Sequence, residues 1–595
     1  MVALRISPFG GMIPAVDDRL LPDTAAAYAE NTWVYPGTVK GMPELKTLRT
    51  NSSSAITKVY RLPNNFIDRE HLGDSFFMEF QDSETDVIRS LVIDDTFDRY
   101  YWVSPSERPK YNPRARIEAG LPAFFLGIEQ PAPIINVVAA GGASSTLISR
   151  AYVHTYVSAY GEESQPSDPF LLTGKKLDDT FTLTLPAANP LDLGTNRNLT
   201  RRRIYRTVTA TNGTTTYYLV VDLPIATTTY ADNASDAVVS LKSALQSTNW
   251  NPPPEDLKGW ITMSNGMVAG FRENEIWFCE PFRMHAWPAI YTLVVEYPIV
   301  GLGVTDQSLI VCTEGFPHVA TGTRPEAITV AKVAGLLPCT SRGSIISTVD
   351  GVFFSSSEGL VLANAGGVNV VTKELIRKDK WLQLVTTSTL RAVRLGAAYY
   401  AFGAARFGIF EETAFEETAF EQEDLGGAKR GLLIDPTSQI VAFNLMSSED
   451  PVSNIFMDAW SGEVFVIKGN KTMWLDISDT QQRRGPFVWR SKIFQPSIMK
   501  NFQAMKVYFN VLPNTPALNP VPDTALVQSL KADQWGLVRL YADGRHVFTR
   551  ELRKSGEQFR LPSGFRADFW QWEIEARVEI DNIQAATSPT ELRTV

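Results

Sequence analysis

The segment Gly351-Val-Phe-Phe-Ser355, followed closely by Gly359-Leu-Val-Leu362, predicts two short strands joined by a turn. Apolar, β-branched and aromatic residues bounded by glycine are typical of such a hairpin. The same pattern recurs with starts at residues 266, 308, 397 and 462. The first four copies begin 42 to 46 residues apart, and the blades of a β-propeller repeat every ~40–45 residues. Each copy therefore predicts one hairpin of a four-stranded blade, with a large β-sandwich of chance spacing as the alternative.

Strand-like runs also dominate the rest of the chain. They are short, rich in Val, Ile, Tyr, Phe and Thr, and broken by Gly, Pro, Asn and Asp. The one stretch with helical character is the Ala-rich segment 23–31, where Asp23 is placed to cap a short helix. The sequence therefore predicts an all-β fold with almost no helix.

Changes in composition divide the chain into four parts. Residues 1–130 are predicted to hold an N-terminal segment and the first propeller strands, and residues 246–486 the β-propeller itself. Between them, residues 131–245 are predicted to be an inserted immunoglobulin- or fibronectin-like sandwich, because about seven strands in about 100 residues is the size of such a module. Residues 487–595 are predicted to form a C-terminal β-sandwich-like domain. The strict apolar–polar alternation that starts at Trp570 is typical of a strand with one buried face.

The charge balance argues against a protein that wraps duplex nucleic acid. The 595-residue chain has 56 Lys and Arg against 65 Asp and Glu, a net charge of −9, whereas such proteins neutralise phosphates with clustered basic residues. The balance still allows nucleic acid to slide past without being held. The three cysteines are too few for a disulfide framework and are predicted to be buried thiols. No apolar run of signal-peptide or membrane-spanning length occurs, which predicts a soluble protein with no membrane span.

Motifs that mark common enzymes do not occur in the sequence. There is no Gly-x-Ser-x-Gly elbow, His-Glu-x-x-His motif, phosphate-binding loop or calcium loop, and the five histidines have no metal-ligand spacing. We therefore expect no catalytic, cofactor-binding or metal-binding residues and no cofactor, although a glycosidase needs only two carboxylates and leaves no such motif. The basic cluster Arg201-Arg-Arg203 adjoins a strand, which favours a solvated strand edge over a phosphate site.

A perfect five-residue tandem repeat lies within residues 410–424. It has seven acidic residues and no basic ones between Glu411 and Asp424. Its period matches neither a helix face nor a strand face, so a flexible acidic loop grown by duplication is the simpler interpretation. The alternative is a gate loop that lines a channel, its phenylalanines clustered to narrow the bore and its carboxylates repelling DNA. The residues of this candidate gate are Phe410, Glu411, Glu412, Phe415, Glu416, Glu417 and Phe420.

Three groups of segments resemble a known family, the tail nozzle (distal tail tube) proteins of short-tailed, podovirus-like bacteriophages. The first group is Ile6-Ser-Pro-Phe-Gly-Gly-Met-Ile-Pro14, Arg19-Leu-Leu-Pro-Asp-Thr-Ala-Ala26 and Ala29-Glu-Asn31. The second is Tyr156-Val-Ser-Ala-Tyr-Gly-Glu-Glu-Ser164. The third comprises Met267-Val-Ala-Gly-Phe271, Trp277-Phe278, Tyr297-Pro-Ile-Val-Gly-Leu302 and Gly351-Val-Phe-Phe354. These motifs are spread over about the first 60% of the chain, and none is a catalytic signature.

The resemblance implies a non-enzymatic virion protein of the phage tail, made in the cytoplasm of the host bacterium. A homo-hexamer would form a ring below the adaptor (head-to-tail connector) ring and bear tail fibres or tailspikes and a tail needle. Double-stranded DNA would pass through its channel without specific binding. The inserted module departs from a minimal nozzle and would be peripheral, or a docking surface for fibres or tailspikes. Two other classes stay open: a receptor-binding or glycan-degrading phage tail protein, and a bacterial surface adhesin, which should carry an export signal.

Overall fold

The regular secondary structure of the described residues is nearly all antiparallel β-strand, which confirms the predicted all-β fold class. The computed structural model describes residues 3–34, 37–63, 72–209, 215–305, 308–384, 386–403, 428–435, 442–477, 484–496, 501–510, 534–564 and 566–593. The chain divides into two compact units. The first comprises Met1–Ser83, Gly335–Thr348 and Val352–Val595, and the second comprises Glu84–Ala334 and Val349–Gly351.

The first unit opens with strands whose partners are mostly distant in sequence. They are β1 (Ala3–Ile6), β2 (Ala26–Glu30), β3 (Thr32–Val34), β4 (Val39–Gly41), β5 (Lys46–Thr50), β6 (Lys58–Leu62) and β7 (Phe76–Phe80). The strand β2 covers the Ala-rich segment for which we predicted a helix. That prediction was wrong because pairing with residues 445 and 488–491 holds the segment extended and overrides the helix propensity of alanine.

The second unit begins with a four-stranded antiparallel meander, called the first blade below. Its strands are β8 (Asp86–Arg89), β9 (Arg99–Ser104), β10 (Glu107–Pro113) and β11 (Phe124–Phe125), with the helix α1 (Arg114–Glu118) between the last two. They pair in chain order, each with the next. A meander of four strands paired in this way is the blade unit of a β-propeller.

The inserted module follows as two packed sheets. Its elements are β12 (Asn136–Ala140), β13 (Leu147–Ser158), β14 (Phe170–Lys176), β15 (Thr180–Thr184), α2 (Pro190–Gly194), β16 (Leu199–Thr209), β17 (Thr215–Pro224), β18 (Thr229–Asp232) and α3 (Asp236–Val239). One sheet has the order β12-β15-β18 and the other β14-β13-β16-β17. Val137, Phe181 and Ile204 belong to the core that the two sheets share. Seven strands in two sheets form an immunoglobulin-like sandwich.

Two further four-stranded meanders complete the second unit. Their strands are β19 (Lys258–Thr262), β20 (Val268–Arg272), β21 (Glu275–Phe278), β22 (Leu293–Val294), β23 (Ile299–Val304), β24 (Ser308–Thr313), β25 (His318–Thr321) and β26 (Thr329–Lys332). Strands β19 to β22 pair in chain order, and so do β23 to β26. The repeats that start at residues 266 and 308 are the middle hairpins of these two blades, as predicted. Phe278 of one blade and Leu309 of the next belong to one buried cluster.

The later strands of the first unit continue the meander pattern. They are β27 (Ile346–Ser347), β28 (Val352–Ser356), β29 (Gly359–Asn364), β30 (Gly367–Val370), β31 (Arg391–Leu395), β32 (Ala398–Gly403), β33 (Ala428–Asp435), β34 (Ala442–Met457), β35 (Val464–Lys468) and β36 (Lys471–Leu475), with α4 (Lys378–Leu384) after β30. Strands β27 to β30 form one blade, and β31 to β34 pair in chain order. The long strand β34 also pairs with β35, and the N-terminal strand β5 completes this sheet by pairing with β36. Strands β6 and β7 pair as a hairpin.

The C-terminal sandwich takes in strands from both ends of the chain. Its C-terminal strands are β37 (Phe487–Ser491), β38 (Ala504–Asn510), β39 (Gly536–Ala542), β40 (Arg545–Glu551), β41 (Gln558–Arg560), β42 (Trp570–Ala576) and β43 (Glu579–Ala586). One sheet runs β3-β4-β43-β38-β41 with β1 beside β43, and the other contains β2-β37-β42-β39-β40. Trp489, Trp572 and Ile583 lie in the core they share. Short 3-10 turns lie at Leu72–Asp74, Ser247–Asn249, Ser264–Gly266, Ala289–Tyr291, Pro325–Ala327, Arg342–Ser344, Thr387–Thr389 and Glu591–Arg593.

Candidate functional site

The segment 156–164, which stood out in the sequence, forms the end of β13 and a turn that folds back on it. The Ser158 hydroxyl accepts hydrogen bonds from the backbone N–H groups of Tyr160 (3.2 Å) and Glu162 (3.3 Å). Gly161 has a φ of 81°, a conformation that glycine adopts without a steric penalty. The turn therefore has a fixed shape, and it presents the side chains of Tyr160 and Glu162 to the first blade.

Tyr160 inserts into an aromatic cluster of the first blade. Its ring centroid lies 4.8 Å from that of Phe97, 6.0 Å from that of Tyr111 and 6.2 Å from that of Phe124. Tyr101 stacks on Tyr111 in the same cluster, with 5.6 Å between the centroids. Aromatic pairs of this kind contribute about 0.5–1.5 kcal/mol each beyond the burial of their area. The inserted module is thus attached to the blade by apolar packing at one point.

Two residues beyond Tyr160, a buried carboxylate meets an arginine of the blade. Nη1 of Arg99 donates to Oε1 of Glu162 at 3.1 Å, and the Glu162 side chain is only 4% exposed. Nε of the same Arg99 donates to Oδ2 of Asp95 at 2.8 Å. Arg99 is therefore shared between a carboxylate of the inserted module and one of its own blade. Together, Tyr160, Glu162, Arg99, Asp95 and Tyr111 are called the joint below.

Burial and charge move the pKa values of the two carboxylates in opposite directions. Burial raises the pKa of Glu162 above its ordinary value, although the charge of Arg99 acts against it. In Asp95 burial also favours the protonated form, but the hydrogen bonds and charge of Arg99 outweigh it and lower the pKa. Burial raises the pKa of Tyr101 and Tyr111 well above the ordinary tyrosine value. Both phenols are therefore neutral at physiological pH.

The neighbouring acid, Glu163, serves the inserted module instead. Its Oε1 accepts hydrogen bonds from Thr155 Oγ1 at 2.7 Å and from the Tyr205 hydroxyl at 2.8 Å. Its Oε2 pairs with Nη1 of Arg203 at 2.5 Å. The two consecutive glutamates therefore have different partners: Glu162 contacts the first blade, and Glu163 contacts the sheet from which the turn emerges.

The linkers on both sides of the inserted module are fastened as well. The buried Arg197 donates to the backbone oxygen of Gly127, and its Nη2 lies 2.8 Å from Oε1 of Glu129 on the entering linker. On the leaving linker, Asn251 Nδ2 donates to Gln165 Oε1 at 3.0 Å. These contacts and the joint hold the inserted module against the first blade.

The residues that the first blade contributes to the joint could not be identified from the sequence. Arg99 and Tyr111 lie in strands without a distinctive motif, and only their three-dimensional neighbours give them a role. The one feature that could have pointed to the joint is the pair Glu162-Glu163, because two adjacent acids that follow a strictly alternating, buried strand need partners nearby.

The structure places the other residues singled out in the sequence as follows. The candidate gate residues 410–420 lie outside the described residues, in the stretch between β32 and β33. Arg201 and Arg203 form ion pairs with Asp222, but β16 is a central strand rather than a strand edge, and Arg202 is buried on its other face. The edge interpretation was therefore wrong, because β17 covers the side of β16 that we expected to be open.

Three further observations concern chemistry. All three cysteines are buried free thiols, as predicted. In the part of the chain that the structure describes, no group of three or more His, Cys, Asp or Glu side chains is arranged to hold a metal ion. Across the same described residues, no helix has the length and apolar character needed to cross a membrane.

Comparisons with known proteins give no family. No protein-family model and no curated protein matches the chain. Among solved structures, the chain is similar to the N-terminal domain of Nup159 (7% identity, 45% of this chain and 85% of that one, TM-score 0.23). It is also similar to BBS1N in complex with ARL6 (9%, 73% and 97%, TM-score 0.24) and to AztD from Citrobacter koseri (10%, 54% and 77%, TM-score 0.22). These similarities are too weak to bear on function.

Proposed function

We propose that this chain is the tail nozzle protein of a short-tailed bacteriophage. In this role it is a structural, non-enzymatic part of the virion: six copies form a ring below the adaptor ring, and the genome leaves through the channel of that ring. The observation that carries the proposal is the joint. The segment 156–164, one of those that resemble the family, is the segment that fastens the inserted module to the first blade.

A channel needs modules that keep their positions while DNA moves past them. A flexible tether between the inserted module and the blade would let the module swing. The described contacts instead combine a nearly buried charge pair, Arg99 with Glu162, and the aromatic packing of Tyr160. This construction suits a part whose task is to hold a shape, and the inserted module is then a firm platform on which tail fibres or tailspikes dock.

The net charge of −9 supports the same role. Tight binding of duplex DNA depends on lysines and arginines that neutralise phosphates and release counterions. A chain with an excess of carboxylates offers few such sites, so DNA can pass without being retained. The acidic repeat within 410–424 lies outside the described residues, and a gate role for it stays a separate prediction from sequence.

Cryo-electron microscopy of purified particles of the source phage tests the proposal directly. Six copies of the chain around the distal tail axis would support it. Three copies at the periphery of the tail, or none in the particle, would refute it. Glycan-binding and glycan-hydrolysis assays would then test the alternative of a receptor-binding or glycan-degrading tail protein.

Particles that carry Arg99→Met, which breaks the joint, add a structural arm to this experiment. We expect the density of residues 131–245 to become diffuse relative to that of the blades, or tails to assemble poorly. The matched control is Arg201→Met, which removes an exposed arginine of the same module and should leave the particle unchanged.

A further inference from the structure

Basic residues of the C-terminal sandwich are concentrated along one of its edges. Residues 545–566 contain six Lys and Arg and two Glu, in a chain whose net charge is −9. Both glutamates have partners: Glu557 pairs with Arg550 at 2.8 Å, and Glu551 lies 3.7 Å from Arg553. The remaining four basic residues are exposed and form no ion pair with any residue that the structure describes. These four, called the basic edge below, are Arg545, Lys554, Arg560 and Arg566.

Both sheets of the sandwich end on this side. Among the described strands, β40 is the last strand of one sheet and β41 the last strand of the other. Arg550 of β40 lies over the ring of Phe559 of β41, with its guanidinium carbon 4.6 Å from the ring centroid. The two edge strands therefore lie side by side. The connector 552–557 between them carries Lys554, and β41 carries Arg560.

The basic edge extends along the whole length of β40. Arg545 begins this strand, next to the hairpin turn that contains Asp543. The Asp543 carboxylate accepts a hydrogen bond from the N–H of Asp568 at 3.0 Å, which brings Arg566 to the same turn. Lys554 follows the other end of the strand. Because β40 has 7 residues, these ends are about 20 Å apart.

The backbone of β40 is open on the side away from β39. The strand pairs with β39, and no other strand in the described part of the chain pairs with it. An open edge is a template for a further strand, and charged side chains protect it by repelling strands of the same charge. The same positive charges attract a strand that carries carboxylates. The edge therefore selects its partner by the sign of the charge.

We infer that β40 accepts an extended acidic segment of a partner protein as an added strand. Main-chain hydrogen bonds would align the segment with β40, and the basic edge would pair with its carboxylates. Duplex DNA is also acidic, but a phosphate backbone cannot continue the hydrogen-bond ladder of a sheet. The open strand edge therefore favours a polypeptide. This inference concerns the C-terminal sandwich alone and holds or fails independently of the nozzle proposal.

A short, fluorescently labelled synthetic peptide that alternates threonine with glutamate tests the inference. Its anisotropy on titration with the full chain should show binding that weakens as the salt concentration rises. The same peptide with glutamine in place of glutamate should not bind. Lys554→Glu and Arg560→Glu should each weaken binding of the acidic peptide by about five-fold or more, since each removes an exposed ion pair. The matched control is Lys373→Glu, which makes the same charge change at an exposed lysine after β30 and should leave binding unchanged.

Amide hydrogen exchange distinguishes strand addition from simple attraction of charges. Saturating acidic peptide should slow the exchange of β40 in the full chain and leave that of the central strand β37 unchanged. Binding that gives β40 no protection would overturn the inference, and so would absence of binding or equal binding of the two peptides. The comparison of the two peptides on the wild-type chain decides even if a variant fails to fold.

The same experiments test the other possible occupants of the edge. Tighter binding of a short DNA duplex than of the acidic peptide would overturn the inference in favour of nucleic acid. Self-association of the full chain that Lys554→Glu abolishes and Lys373→Glu does not would overturn it in favour of a second copy.

Discussion

Replacing Arg99 with methionine should loosen the inserted module from the first blade. Arg99 pairs with Asp95 at 2.8 Å and with Glu162 at 3.1 Å, and all three side chains are at most 11% exposed. Methionine keeps an apolar stem at this position but leaves two nearly buried carboxylates without their cation. Removing one partner of a buried ion pair costs about 3–5 kcal/mol. This corresponds to a roughly 150- to 5,000-fold increase in the opened population of the joint.

Amide hydrogen exchange on the full chain measures this opening. Peptides that cover β9 and the turn at 156–164 should exchange faster in Arg99→Met by that factor, while peptides from the C-terminal sandwich should not change. Arg201→Met is the control, because Arg201 is 55% exposed in its pair with Asp222. Exposed pairs contribute at most about 1 kcal/mol, so the control should change exchange by no more than about five-fold.

Equal exchange in Arg99→Met and Arg201→Met would refute the argument that charge holds the joint. The aromatic packing of Tyr160 would then be the remaining attachment. Acceleration spread over the whole of the second unit, rather than confined to the joint, would also refute it, since the substitution would then act on overall stability.

Particular contacts give two other predictions, and the acidic repeat in the sequence gives a third. Glu162→Gln tests the raised pKa of Glu162. A raised pKa means that the protonated side chain stabilises the folded protein. This contribution is fully present below the ordinary glutamate pKa and is lost as the pH rises through the raised pKa of the folded state. The glutamine variant should therefore gain stability relative to the wild type between acidic and neutral pH, measured by exchange at the joint, and a relative loss would contradict the sign. Asp458→Asn removes the charge that pairs with Arg61 at 2.7 Å, where the side chains are 1% and 2% exposed. Amide hydrogen exchange in β6 should accelerate as expected for a loss of about 3–5 kcal/mol. An unchanged exchange rate would show that the pair does not stabilise β6. Deleting residues 411–424 should leave particles assembled but alter genome retention or release, and unchanged retention and infectivity would rule out a gate.

The blade hairpins could be predicted from the sequence because their information is local. Each hairpin lies within a short stretch of sequence, and its turn residues restrict the local backbone conformation. Gly359, which begins β29, shows this: it has a φ of 139°, and a Cβ there would lie 2.4 Å from Oγ1 of Thr372. A glycine is required at such a position, and an apolar strand on either side of it gives the hairpin its pattern.

Two features could not be predicted, for different physical reasons. The segment Ala26–Glu30 has the composition of a helix, but Ala26 pairs with Ser491, and no local pattern reports a partner so far along the chain. Arg202 was read as solvated together with its neighbours because arginine is rarely found at a core position. Because side chains alternate between the two faces of β16, the side chain of Arg202 nevertheless lies on the inward face together with that of Ile204. Inside the module, Arg202 donates to the backbone oxygen of Pro186 and its guanidinium lies over the ring of Tyr156, contacts that no local sequence pattern reports.

The N-terminal 50 residues contribute strands to sheets that are otherwise built from the C-terminal part of the first unit. Domain boundaries drawn along the sequence therefore do not describe this unit. Strands β1 and β4 pair with β43, so the C-terminal sandwich is incomplete without the N-terminus. The next strand, β5, pairs with β36, and Thr472 Oγ1 donates to Asn51 Oδ1 at 2.8 Å beside this pairing. Both sheets therefore depend on contacts between residues more than 400 positions apart. Because such pairings form only when both ends of the chain are present, truncation at either end removes strands from a sheet that the other end also builds.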